Sequence, residues 1–182
     1  ATIRRQRQMC IRDRSEIFVW NTGGTLGMVR NAQNRLVPAR SAEELIEGLN
    51  MPEGANLHLF EERKLLDSTN VRNMDRVRWA RYIYDAYSEL DAAALLHGTD
   101  STAQTCTALS MIFADTLQKP TMLIGAQGTK DEPGTDMRSQ LESGIKVLHK
   151  FATGSVRRVG VYAIANGHVY SGARVLKRNE AD

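Results

Sequence analysis

Thr22-Gly23-Gly24-Thr25-Leu26-Gly27, Asp67-Ser68-Thr69-Asn70 and His97-Gly98-Thr99-Asp100 each follow an apolar run. They combine hydroxyl and carboxylate side chains with glycines that let the backbone turn tightly and approach a ligand closely. A threonine hydroxyl is a weak nucleophile at its own pKa and needs a base to activate it. A lysine held by an aspartate serves as such a base, and the chain offers Asp100 and Lys177. The set therefore suits nucleophilic chemistry by hydroxyl groups. A bland reading stands beside it: Asp100 and Ser101 occupy positions where a helix wants a cap, and threonines beside glycines commonly cap turns. Neither G-x-G-x-x-G nor G-x-x-x-x-G-K occurs in the sequence, which argues against a nucleotide site.

The elements around these segments read as alternating strands and helices. Glu16–Asn21 is continuously apolar at Ile17, Phe18, Val19 and Trp20, as a strand buried on both faces should be. Residues 28–40 read as a polar loop. Ser41-Ala42-Glu43-Glu44 has capping-box spacing and predicts a helix to about Asn50. Asn56–Glu61 alternates as a strand. Asn73 or Asp75 caps a helix whose apolar stripe is Val77, Ala80, Ile83, Tyr84, Tyr87 and Leu90. Ala92–Leu96 is a buried strand, followed by a helix from about Ser101 to Leu117 that stops at Lys119-Pro120. Thr121–Ala126 is a further buried strand, and Asp136 opens a helix to about Phe151. Val159–Ala165 and His168–Tyr170 form a hairpin around Asn166-Gly167. The alternation predicts an α/β fold: a mostly parallel, flavodoxin- or Rossmann-like sheet with helices on both faces and a C-terminal β-hairpin. In such sheets ligands bind beyond the carboxyl ends of the strands, where the three polar segments would converge.

The 182 residues suit one domain with a real core. The formal charge of +3 is unevenly placed: residues 1–15 carry a net +4 and the remainder a net −1. The body therefore lacks the basic surface a nucleic-acid partner requires. No apolar run reaches the ~20 residues that span a bilayer. Residues 1–15 are expected to form a disordered or non-native tail, and Met9–Arg14 resembles translated adaptor read-through. Cys10 and Cys106 make no disulfide framework, which fits a reducing, cytoplasmic setting. His58, His97, His149 and His168 are scattered without metal spacing and read as surface or core histidines. No cofactor and no metal is implied.

Thr22–Met28, Leu66–Val71, His97–Asp100 with Thr105–Leu109, Gly125-Ala126-Gln127, Thr135-Asp136 and Gly172–Lys177 together resemble the bacterial-type L-asparaginase family. Their order and spacing match from about Glu16 to Asp182, and Met28 after the glycine turn is similar to the cytoplasmic type I branch. The resemblance implies that Thr25 attacks the side-chain amide of L-asparagine, a small-molecule substrate, to give an acyl-enzyme that water hydrolyses. It implies Thr99, Asp100 and Lys177 as a second triad that manages protons. Ser68 would bind the α-carboxylate and Asp100 the α-ammonium, with Gly24 and Thr69 also at the substrate. Backbone N–H groups near Thr99 and Ala126 would form an oxyanion hole. Leu36 stands where many members carry a loop tyrosine, Thr69 where periplasmic members carry glutamine, and Ala92 where glycine is usual.

The resemblance further implies a second, smaller C-terminal domain and an intimate homodimer or homotetramer. The present residues are expected to be the N-terminal catalytic domain, 16–182, with little activity alone. A glutaminase, or the asparaginase-like subunit of a glutamyl-tRNA amidotransferase, keeps the site and changes the substrate. Gly125-Ala126-Gln127 and Asp131-Glu132-Pro133 resemble that amidotransferase component. A non-catalytic flavodoxin-like binding domain, whose hydroxyls only cap helices, is the reading from another class.

Overall fold

The computed structural model describes residues 13–39, 41–130, 132–154 and 158–176. Among these described residues, strands and helices follow in the order β1 (Ser15–Gly23), β2 (Met28–Arg30), β3 (Leu36–Pro38), α1 (Ala42–Ile46), β4 (Ala55–Leu66), α2 (Asn73–Asp85), β5 (Ala92–Leu96), α3 (Thr102–Phe113), β6 (Pro120–Ile124), α4 (Met137–Thr153), β7 (Gly160–Ala165) and β8 (His168–Ser171). The main sheet has the order β4-β1-β5-β6-β7-β8. Its first five members are parallel, and β8 turns back antiparallel on β7. Among the parallel strands this is the flavodoxin-like order 2-1-3-4-5. The expected α/β class and terminal hairpin are therefore present. Asn166 has φ of 50° and Gly167 φ of 73°. They supply the left-handed pair that a tight hairpin needs.

Alternate residues of each strand feed opposite layers. Ile17, Val19, Ala94, Leu96, Met122 and Ile124 meet Leu45 of α1 and Met137, Leu141, Ile145 and Leu148 of α4. Phe18, Trp20, Ala93, Leu95 and Leu123 meet Trp79, Ala80 and Ile83 of α2 and Cys106, Leu109 and Phe113 of α3. Helices thus cover both faces, and Gly144 lets α4 settle onto the sheet: a Cβ there would lie 2.5 Å from Ile124 Cδ1.

Several element boundaries differ from the sequence expectations. β1 begins at Ser15, a buried residue that pairs with Ala55. The segment read as a polar loop contains the two-stranded ribbon β2–β3, whose turn places Asn34 at φ 57°. α1 ends at Ile46, where Glu47 turns to ψ 129° and Gly48 follows at φ 71°, although Ser41 accepts the Glu44 N–H as the capping box predicts. β4 runs to Leu66 as an edge strand, with exposed Arg63 and Lys64 along its second half. In α2 the Asp75 carboxylate accepts the Arg72 N–H at 2.9 Å, but the buried face is Arg76, Trp79, Ala80 and Ile83. Val77 and Tyr84, expected inward, are exposed. The helix is rotated from the expected stripe because Trp79, entirely buried, provides the largest apolar surface.

Candidate active site

The strand order reverses at β1. The crossover from β1 leads to β4 on one side, and the crossover from β4 leads to β5 on the other. The crevice at such a switch point, beyond the carboxyl ends, is the expected ligand position. Asn21 lies level with Leu96, and Leu96 with Ile124, so the β1, β5 and β6 ends sit side by side. Thr22 Oγ1 donates to the Leu96 carbonyl at 2.8 Å and stitches two of these ends together.

The turn after β1 needs its glycines. Gly23 has φ of 115° and Gly24 φ of 81°. An L side chain is strained in that region. Asn21 Oδ1 accepts the Gly23 N–H at 3.1 Å, and Leu66 O accepts the Gly24 N–H at 2.9 Å. The loops then touch backbone to backbone. A Cβ on Gly24 would fall 2.4 Å from Gly98 Cα. A Cβ on Gly98 would fall 2.5 Å from Ser68 Oγ and 3.2 Å from Gly24 Cα. A Cβ on Gly125 would fall 3.0 Å from Thr99 Cγ2. The tips after β1, β4, β5 and β6 therefore meet at one place. Thr25 and Thr99 each follow one of the two glycines that touch.

Thr25 is half-buried at the start of a 3-10 turn, Thr25–Gly27. Thr99 is half-buried and Asp100 exposed in a second 3-10 turn, Thr99–Ser101. Ser68 is buried, and its carbonyl accepts the Ser101 hydroxyl at 2.6 Å. Ser101 thus ties the β5 loop to the β4 loop instead of capping α3 with its side chain. Thr69 is exposed and gives both its N–H and its hydroxyl to Asp67 Oδ1, each at 2.9 Å. Those two bonds, the N–H first, hold the Asp67 carboxyl below its ordinary range. Gly24 and Ala126 are buried. Lys177 lies outside the described residues.

Sequence reasoning assigned no role to Asn21, Ser101 or Asp136 as loop fasteners. Asp136 Oδ1 accepts the Gln127 and Gly128 N–H groups at 3.0 and 3.2 Å, fixing the loop after β6. The available signal was a carboxylate at the start of α4, which also suits a simple cap. On the ribbon side, Arg30 Nη2 meets Glu132 Oε1 at 2.8 Å. The Thr129 N–H, and then Arg30, keep the Glu132 carboxyl below its usual range. Among the described residues no cluster of three or more His, Cys, Asp or Glu is placed to hold a metal ion. Among them, no helix is long and apolar enough to cross a membrane.

A family model described as "Asparaginase, N-terminal" matches residues 16–182. The chain belongs to the asparaginase family. L-asparaginase 1 of Escherichia coli K12 is 29% identical over 167 residues, 90% of this chain and 48% of that protein. The D-subunit of the glutamyl-tRNA(Gln) amidotransferase of Thermoplasma acidophilum is also 29% identical, over 162 residues that cover 85% of this chain and 37% of that protein. The crystal structure of L-asparaginase I from Vibrio cholerae superposes with a TM-score of 0.73 at 26% identity, covering 91% of this chain and 49% of the other. This asparaginase-family chain spans about half the length, or less, of the curated relatives it matches.

Proposed function

We propose that the protein hydrolyses the side-chain amide of L-asparagine to L-aspartate and ammonia. Thr25 Oγ adds to the amide carbon, ammonia leaves, and water cleaves the resulting aspartyl ester. Thr99, Asp100 and Lys177 pass the protons that activate the nucleophile and the leaving amine. Ser68 receives the α-carboxylate and Asp100 the α-ammonium, with Gly24 and Thr69 lining the substrate. N–H groups near Thr99 and Ala126 receive the developing oxyanion; one such donor is worth ~10²–10³ in rate. The observation that carries this reading is the contact between Gly24 and Gly98, which starts Thr25 and Thr99 from touching backbones. A cytoplasmic setting and a homo-oligomeric full-length protein, to which a second domain contributes part of the site, belong to the same proposal.

The likeness to the amidotransferase D-subunit supports a second reading, in which the same nucleophile releases ammonia for transfer. Ammonia release from L-asparagine and L-glutamine, assayed on a full-length protein carrying these residues and on the 182 residues in parallel, tests both. Preference for L-asparagine and a loss of at least about 10²-fold in Thr25→Ala, with thermal stability retained, are expected. Full turnover by Thr25→Ala would overturn the nucleophile assignment, and equal rates with L-glutamine would favour the second reading.

A further inference from the structure

His97 is almost wholly buried beside the loop that carries Thr99 and Asp100, and its ring makes two polar contacts with fixed partners. Nδ1 lies 2.7 Å from the Gly98 carbonyl oxygen. Nε2 lies 3.1 Å from Thr105 Oγ1 on α3. Thr105 Oγ1 in turn lies 3.0 Å from Arg76 Nε on α2. Arginine can only donate, and a carbonyl can only accept. The carbonyl therefore fixes a proton on Nδ1, and because burial keeps the ring neutral, Nε2 carries none and accepts. Arg76 Nε–H donates to Thr105, the Thr105 hydroxyl proton goes to His97 Nε2, and His97 Nδ1–H donates to Gly98 O. The ring is the neutral Nδ1–H tautomer. Its edge-on contact with Trp79, at 5.6 Å between centroids, keeps its plane. Such edge-to-face pairs are a preferred arrangement of aromatic rings.

The Gly98 carbonyl belongs to the same peptide unit as the Thr99 N–H. In a trans peptide those two bonds point in opposite directions. The carbonyl is drawn toward the core by His97 Nδ1 and by Thr102 Oγ1 at 2.9 Å. The Thr99 N–H is thereby turned away from the core.

We propose that His97 is a positioning residue: the Arg76–Thr105–His97 relay locks the Gly98–Thr99 peptide so that its N–H is presented to the substrate's amide oxygen. What the N–H does there rests on the amidohydrolase reading; its orientation and the relay do not. Burial pushes the His97 pKa down to about 4, against an upward pull from the Gly98 carbonyl, so the ring stays neutral under ordinary conditions. Arg76 is the charged neighbour whose field acts in the same downward direction.

Nitrogen-15 NMR of the 182-residue chain, labelled in histidine and backbone, tests this without any turnover. The wild type is expected to show Nδ1 protonated and Nε2 unprotonated. Thr105→Val is expected to keep the Nδ1–H tautomer, which the Gly98 carbonyl still fixes, but to shift the Nε2 and Thr99 amide resonances, while Thr105→Ser restores both. Thr102→Ala is expected to keep the tautomer. An Nε2-protonated or averaged ring in the wild type overturns the relay, and this outcome needs no variant to fold. An unmoved Thr99 amide in Thr105→Val, or a serine variant that behaves like valine, overturns the coupling to the peptide. A silent ammonia assay on the full-length protein, with the expected spectra, would instead count against the amidohydrolase reading.

Discussion

At the scale of single residues, the site is organised by positions that tolerate no side chain. Gly98 has φ of −68°, so any residue fits its backbone, and only space excludes a methyl group. Gly24 has φ of 81° and faces backbone atoms that cannot rotate aside. Gly98→Ala is therefore expected to cost about 1–3 kcal/mol through overpacking against Ser68, and Gly24→Ala more, through strain added to clash. Thermal unfolding of both variants checks the order; a larger loss at Gly98 would contradict it. His97 adds a pH dependence. Its folded-state pKa of about 4 lies below its ordinary 6.5, so the unfolded chain binds a proton that the native chain refuses. Stability from this group is fully present above pH 6.5 and falls as pH drops toward 4. The loss amounts to about 3 kcal/mol by the usual conversion of pKa units. Denaturant melts across that window should show the slope, and His97→Asn should flatten it. The hydroxyls, carboxylates and glycines were legible in the sequence because their types are rare in apolar runs. Asn21, Ser101 and Asp136 were not, because a residue that fastens a loop from the side looks like an ordinary cap until its partner, remote in the chain, is in place.

Among the elements, strands buried on both faces were read most accurately. Ala92–Leu96 is β5 with the expected bounds, since a short, wholly apolar run between polar turns has few alternatives. The helices show what periodicity leaves open. The expected stripe of α2 and its true face share Ala80 and Ile83, yet the true face includes Arg76, a charged residue that apolar counting excludes. Arg76 Nε binds Thr105, and its Nη1 binds Asn73 Oδ1 at 2.9 Å. Those bonds are what make a buried guanidinium tolerable there. Trp79 is the anchor of this face, with its indole N–H on Glu62 Oε2 at 2.8 Å. Trp79→Ala is expected to cost about 3–5 kcal/mol, the range for emptying a large aromatic site. A change below about 1 kcal/mol in chemical denaturation, the size of an ordinary surface effect, would show that α2 is not held to the sheet by this residue. The ribbon β2–β3 was missed because its three-residue strands are too short to display a period, and its Asn34 turn has no glycine.

Taken as a whole, the molecule gathers four loop tips by sheet topology. Reversal of strand order at β1 opens the crevice, and parallel pairing levels the ends of β1, β5 and β6 at its floor. Alternation of elements made this architecture readable in the sequence, and the order of several motifs narrowed it to a family. Which amide is cleaved was less legible, because asparagine and glutamine differ by one methylene, a difference worth only ~1–3 kcal/mol in a pocket. The geometric claim beneath the functional reading is that Thr25 and Thr99 address the same small molecule. A crystal structure of the protein with L-aspartate bound measures this directly. The account predicts the ligand's side-chain carboxylate within hydrogen-bond reach of both threonine hydroxyls, and its α-carboxylate at Ser68. Density for L-aspartate elsewhere, or the two threonine side chains on opposite rims of the crevice, would contradict it.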